Sequence, residues 1–392
     1  MHDPRVRRAF LVVTALELVL LLLVHAPRDS DKPGVAGGIR TAAAQLRGEG
    51  PPVDLVQDYV GAQRLVGRGD PYARVTEAYA SVGITREANH RSTHPPTAFE
   101  LVLPVAWLPF RAAAAVWAAL MLAAIAVAWW GFGARPEVAA ALAPLTLVWP
   151  PAAWSLGQLT PLWLLGLALA WRFRDRPATA GVAVALASLT KLVPGVSLLP
   201  FLVLGRWRAL RGFLAVWAGA LMVLLALRPG AIQRYAHVVR ATGRQQGLRG
   251  ENSALGWAAA HRFGLAGFLA AFLLVIAVTT ASLNRIQQRE RLDRWSWDAW
   301  TWLGVALLPI AWIYSLLPLL PAAIRCVGRG GIVARSLAAV TLGMPFLVDP
   351  FGLPGAIRLA AATACLGLSL LALACWPALK RRLAWNGVRE TE

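Results

Sequence analysis

Two carboxylates four residues apart, Asp54 and Asp58, stand in the stretch PVDLVQDYVGAQRLVGRGDPY, Pro52 to Tyr72. Most of the remaining chain is apolar and avoids acids. On a helix this spacing puts both groups on one face, one turn apart. Such a pair suits general-base removal of a proton from a hydroxyl; it suits equally a solvated amphipathic helix whose acids face water. Gly67 and Gly69 can end the helix, and Asp70-Pro71 then makes a turn. His94 precedes Pro95 and Pro96, which fix the backbone and hold the imidazole in place, for structure or for chemistry. Lys191, in SLTKLVPG, is the one lysine between Lys32 and Lys380. It reads either as a point charge for a phosphate at the membrane boundary or as a side chain snorkelling to the interface. Gln158 lies in a polar turn, Gly157 to Thr160. Glu17 and Glu100 fall inside apolar runs, where a carboxylate needs a partner or a polar cavity.

The elements that must carry these groups are membrane helices. The 392 residues are 57% hydrophobic, with a mean hydropathy of +0.55, which places the chain among polytopic membrane proteins. The net charge of +19 does not indicate nucleic acid, because Lys and Arg fall in short clusters between apolar runs. The expected fold is all-α, a single polytopic helical bundle over residues 1–392 with about 11–13 membrane segments. The N-terminal MHDPRVRR and the run Phe10 to His25 read as an uncleaved first span. Residues 26–94 form a long outer loop; Leu101 to Pro109 is re-entrant or interfacial. Apolar runs near 193–205, 299–314 and 316–324 are among the later segments, with a hairpin around Tyr314-Ser315. Arg172, Arg174 and Arg176, Arg206, Arg208 and Arg211, Arg285, Arg289, Arg291 and Arg294, and Lys380 to Arg382 mark the cytoplasmic side. The short outer loops 154–160 and 349–354 carry no Lys or Arg. Both termini are therefore expected in the cytoplasm and the active face outside the cell membrane. Three cysteines, Cys326, Cys365 and Cys375, give no disulfide framework and no zinc pattern.

The second outer loop, 228–264, breaks the charge rule. Arg228, Arg234, Arg240, Arg244, Arg249 and Arg262 lie there, either solvated or arranged for an anionic partner such as a lipid phosphate. No Walker loop, GxSxG elbow or HExxH occurs, so nucleotide, serine-hydrolase and zinc-protease chemistry lack their signatures. No cofactor is called for; the triplet Asp29 to Asp31 leaves a divalent metal open.

Several blocks, in order, resemble glycosyltransferase family 87, polyprenyl-phosphate-mannose-dependent mannosyltransferases of the GT-C superfamily. DLVQDYVGAQRLVGRGDPY is similar to the family's acidic first-loop motif, and STHPPTAFELVLPVAWLPF to its H/Y-P-P block. GQLTPLWLLGLALAW and AGVAVALASLTKLVPG resemble its G-Q-x-N and I-K-L-x-P blocks, and ENSALGW its outer N-x-S-L-x-G segment. The resemblance implies a first-loop aspartate as catalytic base, Asp54 with Asp58 as the alternative, and Lys191 near the donor phosphate. His94, Gln158, Glu251, Asn252 and Tyr314 are the other substrate-binding residues expected from these blocks. Thr160 departs from the family's Asn, and Ile313, Tyr314 and Ser315 stand where histidines are common, which leaves the acceptor unassigned. The implied reaction moves a hexose, mannose first among candidates, from a polyprenyl-phosphate donor to a lipid or glycan hydroxyl, with inversion. The expected partners are that donor, the acceptor and membrane lipids. A transporter or flippase of a lipid-linked sugar is the alternative; it needs the same groove but no base, and the internal repeats usual for transporters are absent.

Overall fold

The structure, a computed structural model, describes residue 47 and residues 53–67, 69–85, 91–146, 149, 157–246, 255–308, 313–343 and 359–375. The run Phe10 to His25 with Glu17, the Asp29 to Asp31 triplet, and Glu251 and Asn252 lie outside the described residues, as does the side chain of Tyr314.

The described regular structure is helical. In chain order the helices are α1 (Val53–Val66), α2 (Val75–Ser81), α3 (Pro96–Ala106), α4 (Phe110–Gly131), α5 (Pro136–Thr146), α6 (Thr160–Arg172), α7 (Pro177–Thr190), α8 (Leu199–Val203), α9 (Trp207–Leu227), α10 (Ala231–Gln246), α11 (Leu255–Arg289), α12 (Arg294–Ala306), α13 (Leu320–Arg329), α14 (Ile332–Gly343) and α15 (Leu359–Cys375). Short 3-10 turns, Val193–Leu198 and Ile313–Leu319, precede α8 and α13. Among these, α4, α9 and the part Phe263–Arg289 of α11 are long and apolar enough to cross a membrane, with 22, 21 and 27 residues, against about 20 needed. The membrane-protein reading rests on these three; the remaining apolar helices are shorter.

Two expected runs differ in detail. The stretch 193–205 is not one helix but a 3-10 turn followed by a five-residue α-helix. Pro194 and Pro200 each remove a backbone donor, and the chain folds back instead of extending. The run expected at 299–314 starts earlier, at Arg294, and ends at Ala306. Its start is set by Asp293, whose side chain accepts from the Ser296 backbone N–H. Four buried tryptophans, Trp295, Trp297, Trp300 and Trp302, then supply most of its apolar bulk. The Gly67 stop holds: α1 ends at Val66, and the Gly67 N–H donates to the Gln63 carbonyl at 2.8 Å.

The bundle has two distinct ends. Helices α6 and α7 form an antiparallel hairpin closed by residues 173–176, in which Gly166 packs against Ala183 and Ala187. Thr160 and Lys191 are thereby at one end, Arg172 and Arg176 at the other. The segment 193–203 returns, and α9 then runs alongside α7 in the same direction, with the Trp217 indole donating to Ser188 Oγ at 2.8 Å. Their backbones meet at Gly181 and Gly212, where a Cβ would collide with the carbonyls of Ala209 and Ala178. Small residues let apolar helices approach this closely without a hydrophobic driving force between them. Gly264 takes φ +61°, ψ −149°, which side chains rarely adopt, and kinks α11 where its apolar span begins.

Candidate active site

Helix α1 carries the acidic pair because one of its faces is apolar. Leu55, Val56, Tyr59, Val60, Ala62 and Leu65 are buried, and α3 runs beside α1 in the same direction. The register is fixed by specific contacts. The Tyr59 hydroxyl donates to the Leu108 carbonyl at 2.7 Å. Gln63 Nε2 donates to the Ala106 carbonyl at 3.0 Å. Between them Gly61 lies flat on the Phe99 ring, where a Cβ would approach to 2.9 Å. Further up the same interface Asp58 Oδ1 meets His94 Nδ1 at 2.7 Å.

This pair is buried: Asp58 is 1% exposed and His94 6%. A carboxylate accepts only, so the Nδ1–H donates and Nε2 is the nitrogen left for other work. The backbone of His94 is pinned as well. Its carbonyl accepts from the Tyr72 hydroxyl at 3.1 Å, and Pro95 enters α3 in extended conformation with Pro96 at the first helical turn. Burial raises the Tyr72 phenol above its ordinary value, so it acts as a neutral donor. The Thr97 hydroxyl, in the same turn, donates to the Leu189 carbonyl at 2.9 Å. That bond ties α3 to the last turn of α7 and brings Lys191, two residues on, to the acidic helix.

Lys191 is partly buried and is acted on electrostatically by both Asp54 and Asp58. Burial lowers its pKa to about 8, against the opposing pull of Asp54 and then Asp58. Asp54, one turn before Asp58, is only half-buried. Four residues singled out from the sequence, Asp54, Asp58, His94 and Lys191, are thus brought together from three elements. Gln158 and Thr160 follow at the hairpin's matching end. Gln158 Oε1, Thr160 Oγ1 and Ser197 Oγ are buried without a hydrogen-bond partner, a capacity that a hydroxylated ligand can meet. Glu100 also has a buried oxygen without a partner, and burial raises its pKa to about 7.

A second feature lay beyond the reach of spacing arguments. A cavity of about 330 Å³ is lined by Asp70, Pro71, Arg228, Gly230, Ala231 and Arg234. Arg234 Nη2 donates to Asp70 Oδ2 at 2.6 Å, tying α10 to the turn after α1. Arg91 stands 3.5 Å from the same oxygen. Burial alone would raise the Asp70 carboxyl; the hydrogen bonds from Arg234 and the Tyr72 N–H, with the charges of Arg234 and Arg91, outweigh it and hold it below its ordinary value. Of the loop arginines, Arg234 is therefore committed to a protein carboxylate, while Arg228 faces the cavity. Tyr235, the next residue, packs against Tyr72 at a tilt of 34° with ring centroids 5.9 Å apart, so this cavity adjoins the His94 site through Tyr72. Among the described residues no group of three His, Cys, Asp or Glu side chains gathers as a metal site would require.

The family model of glycosyltransferase family 87 matches residues 93–308, more than half of the 392 residues. The match begins one residue before His94 and includes Gln158, Lys191 and residues 228–264; the acidic helix α1 precedes it. No curated protein and no solved structure matches the chain.

Proposed function

We propose a specific reaction for this chain, which belongs to glycosyltransferase family 87, a membrane family of the GT-C class: transfer of a hexose, mannose first among candidates, from a polyprenyl-phosphate donor to a hydroxyl of a lipid or glycan at the outer membrane face. The observation that carries the reading is the convergence of Asp54, Asp58 and Lys191 beside His94. A lipid-phosphate sugar already carries its leaving group, so the protein must do two things. It must take a proton from the acceptor hydroxyl, and it must stabilise the departing phosphate.

Asp54 is the base in this proposal. It is half-buried and so open to an acceptor, whereas Asp58 is enclosed and already bonded to His94. Asp58 orients the imidazole, whose Nε2 can hold a sugar hydroxyl. Lys191 neutralises the leaving phosphate, with Arg228 as a second cation at the adjoining cavity. The unpaired oxygens of Gln158, Thr160 and Ser197 bind hydroxyls of the hexose. Asp54 and Lys191 act on opposite partners of the reaction. Attack opposite the phosphate inverts the anomeric centre and gives an α-linkage from a β-linked donor. The acceptor proton goes to Asp54, and the C1–O bond to phosphate breaks as the new glycosidic bond forms. A carrier for a lipid-linked sugar would need the groove and the cations but not the base.

The test is turnover in Asp54→Asn and Asp58→Asn proteins. Asp54→Asn is expected to lower kcat by about 10²–10⁴-fold with donor affinity nearly unchanged, because the proton moves only in the transition state. Asp58→Asn is expected to lose less turnover and to lower stability by about 1–3 kcal/mol, since it weakens a buried charged hydrogen bond. Near-wild-type turnover in Asp54→Asn, with the loss confined to Asp58→Asn, would move the base to Asp58.

A further inference from the structure

At the end of the bundle opposite Lys191, three carboxylates are shared by six guanidinium groups. Asp175 lies 3.7 Å from Arg174 and 4.0 Å from Arg206. Asp293 pairs with Arg285 and, at 3.0 Å, with Arg289. Asp298, whose side chain is 7% exposed, is 3.5 Å from Arg294 Nε and accepts from Arg325 Nε at 2.7 Å. A seventh, Arg329, is exposed at the end of α13, acts on Arg294 electrostatically, and has no carboxylate among the described residues.

Arg294 is the unusual member. Its guanidinium carbon lies 4.3 Å from the centre of the Phe132 ring and 4.7 Å from that of Trp171. Trp171 carries Arg174 at 4.3 Å as well. Rings therefore cover the guanidinium plane, and only its edge is left for hydrogen bonds, which guanidinium N–H groups make in plane. Yet Nε, Nη1 and Nη2 are all buried and none has a hydrogen-bond partner. Beyond the 3.5 Å ion pair with Asp298, this buried donor set has hydrogen-bonding capacity to spare, which a further acceptor can meet. The acceptor that suits a guanidinium edge, with further arginines beside it, is an oxyanion with two or more oxygens, a phosphate foremost.

The surroundings indicate where that phosphate comes from. Immediately beyond Arg329, Ile332 and Val333 at the start of α14 are 79% and 59% exposed. The apolar span of α11 ends nearby, at Arg289. Cations edged by exposed aliphatic residues, where a membrane span meets its boundary, fit a phospholipid: headgroup on the arginines, acyl chain along Ile332 and Val333.

We propose that the Arg174, Arg294, Arg325 and Arg329 cluster binds the phosphate headgroup of an anionic membrane lipid, at the far end of the bundle from the transfer site. The proposal does not depend on the reaction assigned above. It is tested on the full-length protein in detergent by native mass spectrometry and thermal unfolding, with phosphatidylglycerol, phosphatidylcholine or inorganic phosphate added. Wild type is expected to retain phosphatidylglycerol over phosphatidylcholine by about tenfold and to gain thermal stability from it. Arg294→Gln and Arg329→Gln are expected to lose that preference about tenfold; Arg329 is exposed, so its variant stays folded if Arg294→Gln does not. Arg208→Gln, an exposed arginine with no place in the cluster, keeps it. Equal retention of the two lipids overturns the proposal, as does an equal loss in Arg208→Gln, which would indicate general surface charge. Stabilisation by inorganic phosphate that matches phosphatidylglycerol overturns the assignment to a lipid.

Discussion

The two ends of this bundle hold charge in different ways. At the Lys191 end, cations and carboxylates are mixed and joined by short, directional bonds: Asp58 to His94 at 2.7 Å and Arg234 to Asp70 at 2.6 Å. At the Arg294 end, arginines outnumber acids and lie on tryptophan faces, with Arg172 over Trp130 at 4.7 Å and Arg285 over Trp295 at 5.4 Å. The first arrangement fixes the positions and protonation of individual groups, which proton transfer requires. The second spreads positive charge over polarisable rings, which anchors a helix end and attracts anions but moves no proton. The same helices carry both, so substitutions at one end are expected to leave the function of the other intact.

Trp171→Ala gives the largest structural effect. It removes the ring shared by Arg174 and Arg294 and is expected to cost about 3 kcal/mol of stability, read as a lower Tm, with donor KM unchanged in the folded fraction. A parallel rise in donor KM would break the separation of the two ends. Lys191→Met comes next. Losing a charge-to-phosphate contact worth about 1.5–3 kcal/mol should raise donor KM roughly ten- to hundredfold at little cost in Tm. The pH dependence sharpens this. With its pKa lowered to about 8, Lys191 is charged below that pH and neutral above it. Wild-type kcat/KM for the donor should therefore fall as pH rises through about 8, and the Lys191→Met profile should be flat there. A wild-type profile that is flat from pH 7 to 9 contradicts the assignment.

Glu100→Gln is the smallest effect. The Glu100 pKa is raised from 4.5 to about 7 by burial. Between those values the folded state holds a proton that the unfolded state has lost, so stability declines as pH rises through this window. The Gln variant should unfold a few degrees above wild type at about pH 8 and level with it near pH 4. A gain that is the same at both pH values would show that Glu100 is not titrating in the fold.

Much of the Lys191 end was legible in the sequence because its signals are local. The four-residue spacing of Asp54 and Asp58, the Gly67 stop and the two prolines after His94 are matters of helix geometry and backbone restriction. The pairings were not legible. Asp58 and His94 are 36 residues apart, and Asp70 and Arg234 are 164 apart, so nothing in either neighbourhood selects the partner. Spacing put Asp54 and Asp58 on equal footing, and only packing distinguishes them: α3 covers Asp58 and leaves Asp54 half-buried. At the other end Arg172, Arg174 and Arg294 read as topology markers alone. The positive-inside rule accounts for an arginine's side of the membrane without saying what its guanidinium touches. Trp171 and Phe132 were hidden for a related reason, since aromatic residues near span ends are expected whether or not a cation stacks on them. The 3-10 break after Lys191 was signalled by Pro194 and Pro200, but hydropathy averaged over the run concealed it.

The donor class is the claim on which the account depends, and one measurement reaches it directly. Purified protein in liposomes is given the same labelled mannose either as a polyprenyl phosphate or as a nucleotide sugar, together with a membrane glycolipid extract as acceptor. The account predicts label in glycolipid from the polyprenyl-phosphate donor alone, in an α-linkage. Label entering glycolipid from the nucleotide sugar, with none from the polyprenyl phosphate, would contradict it.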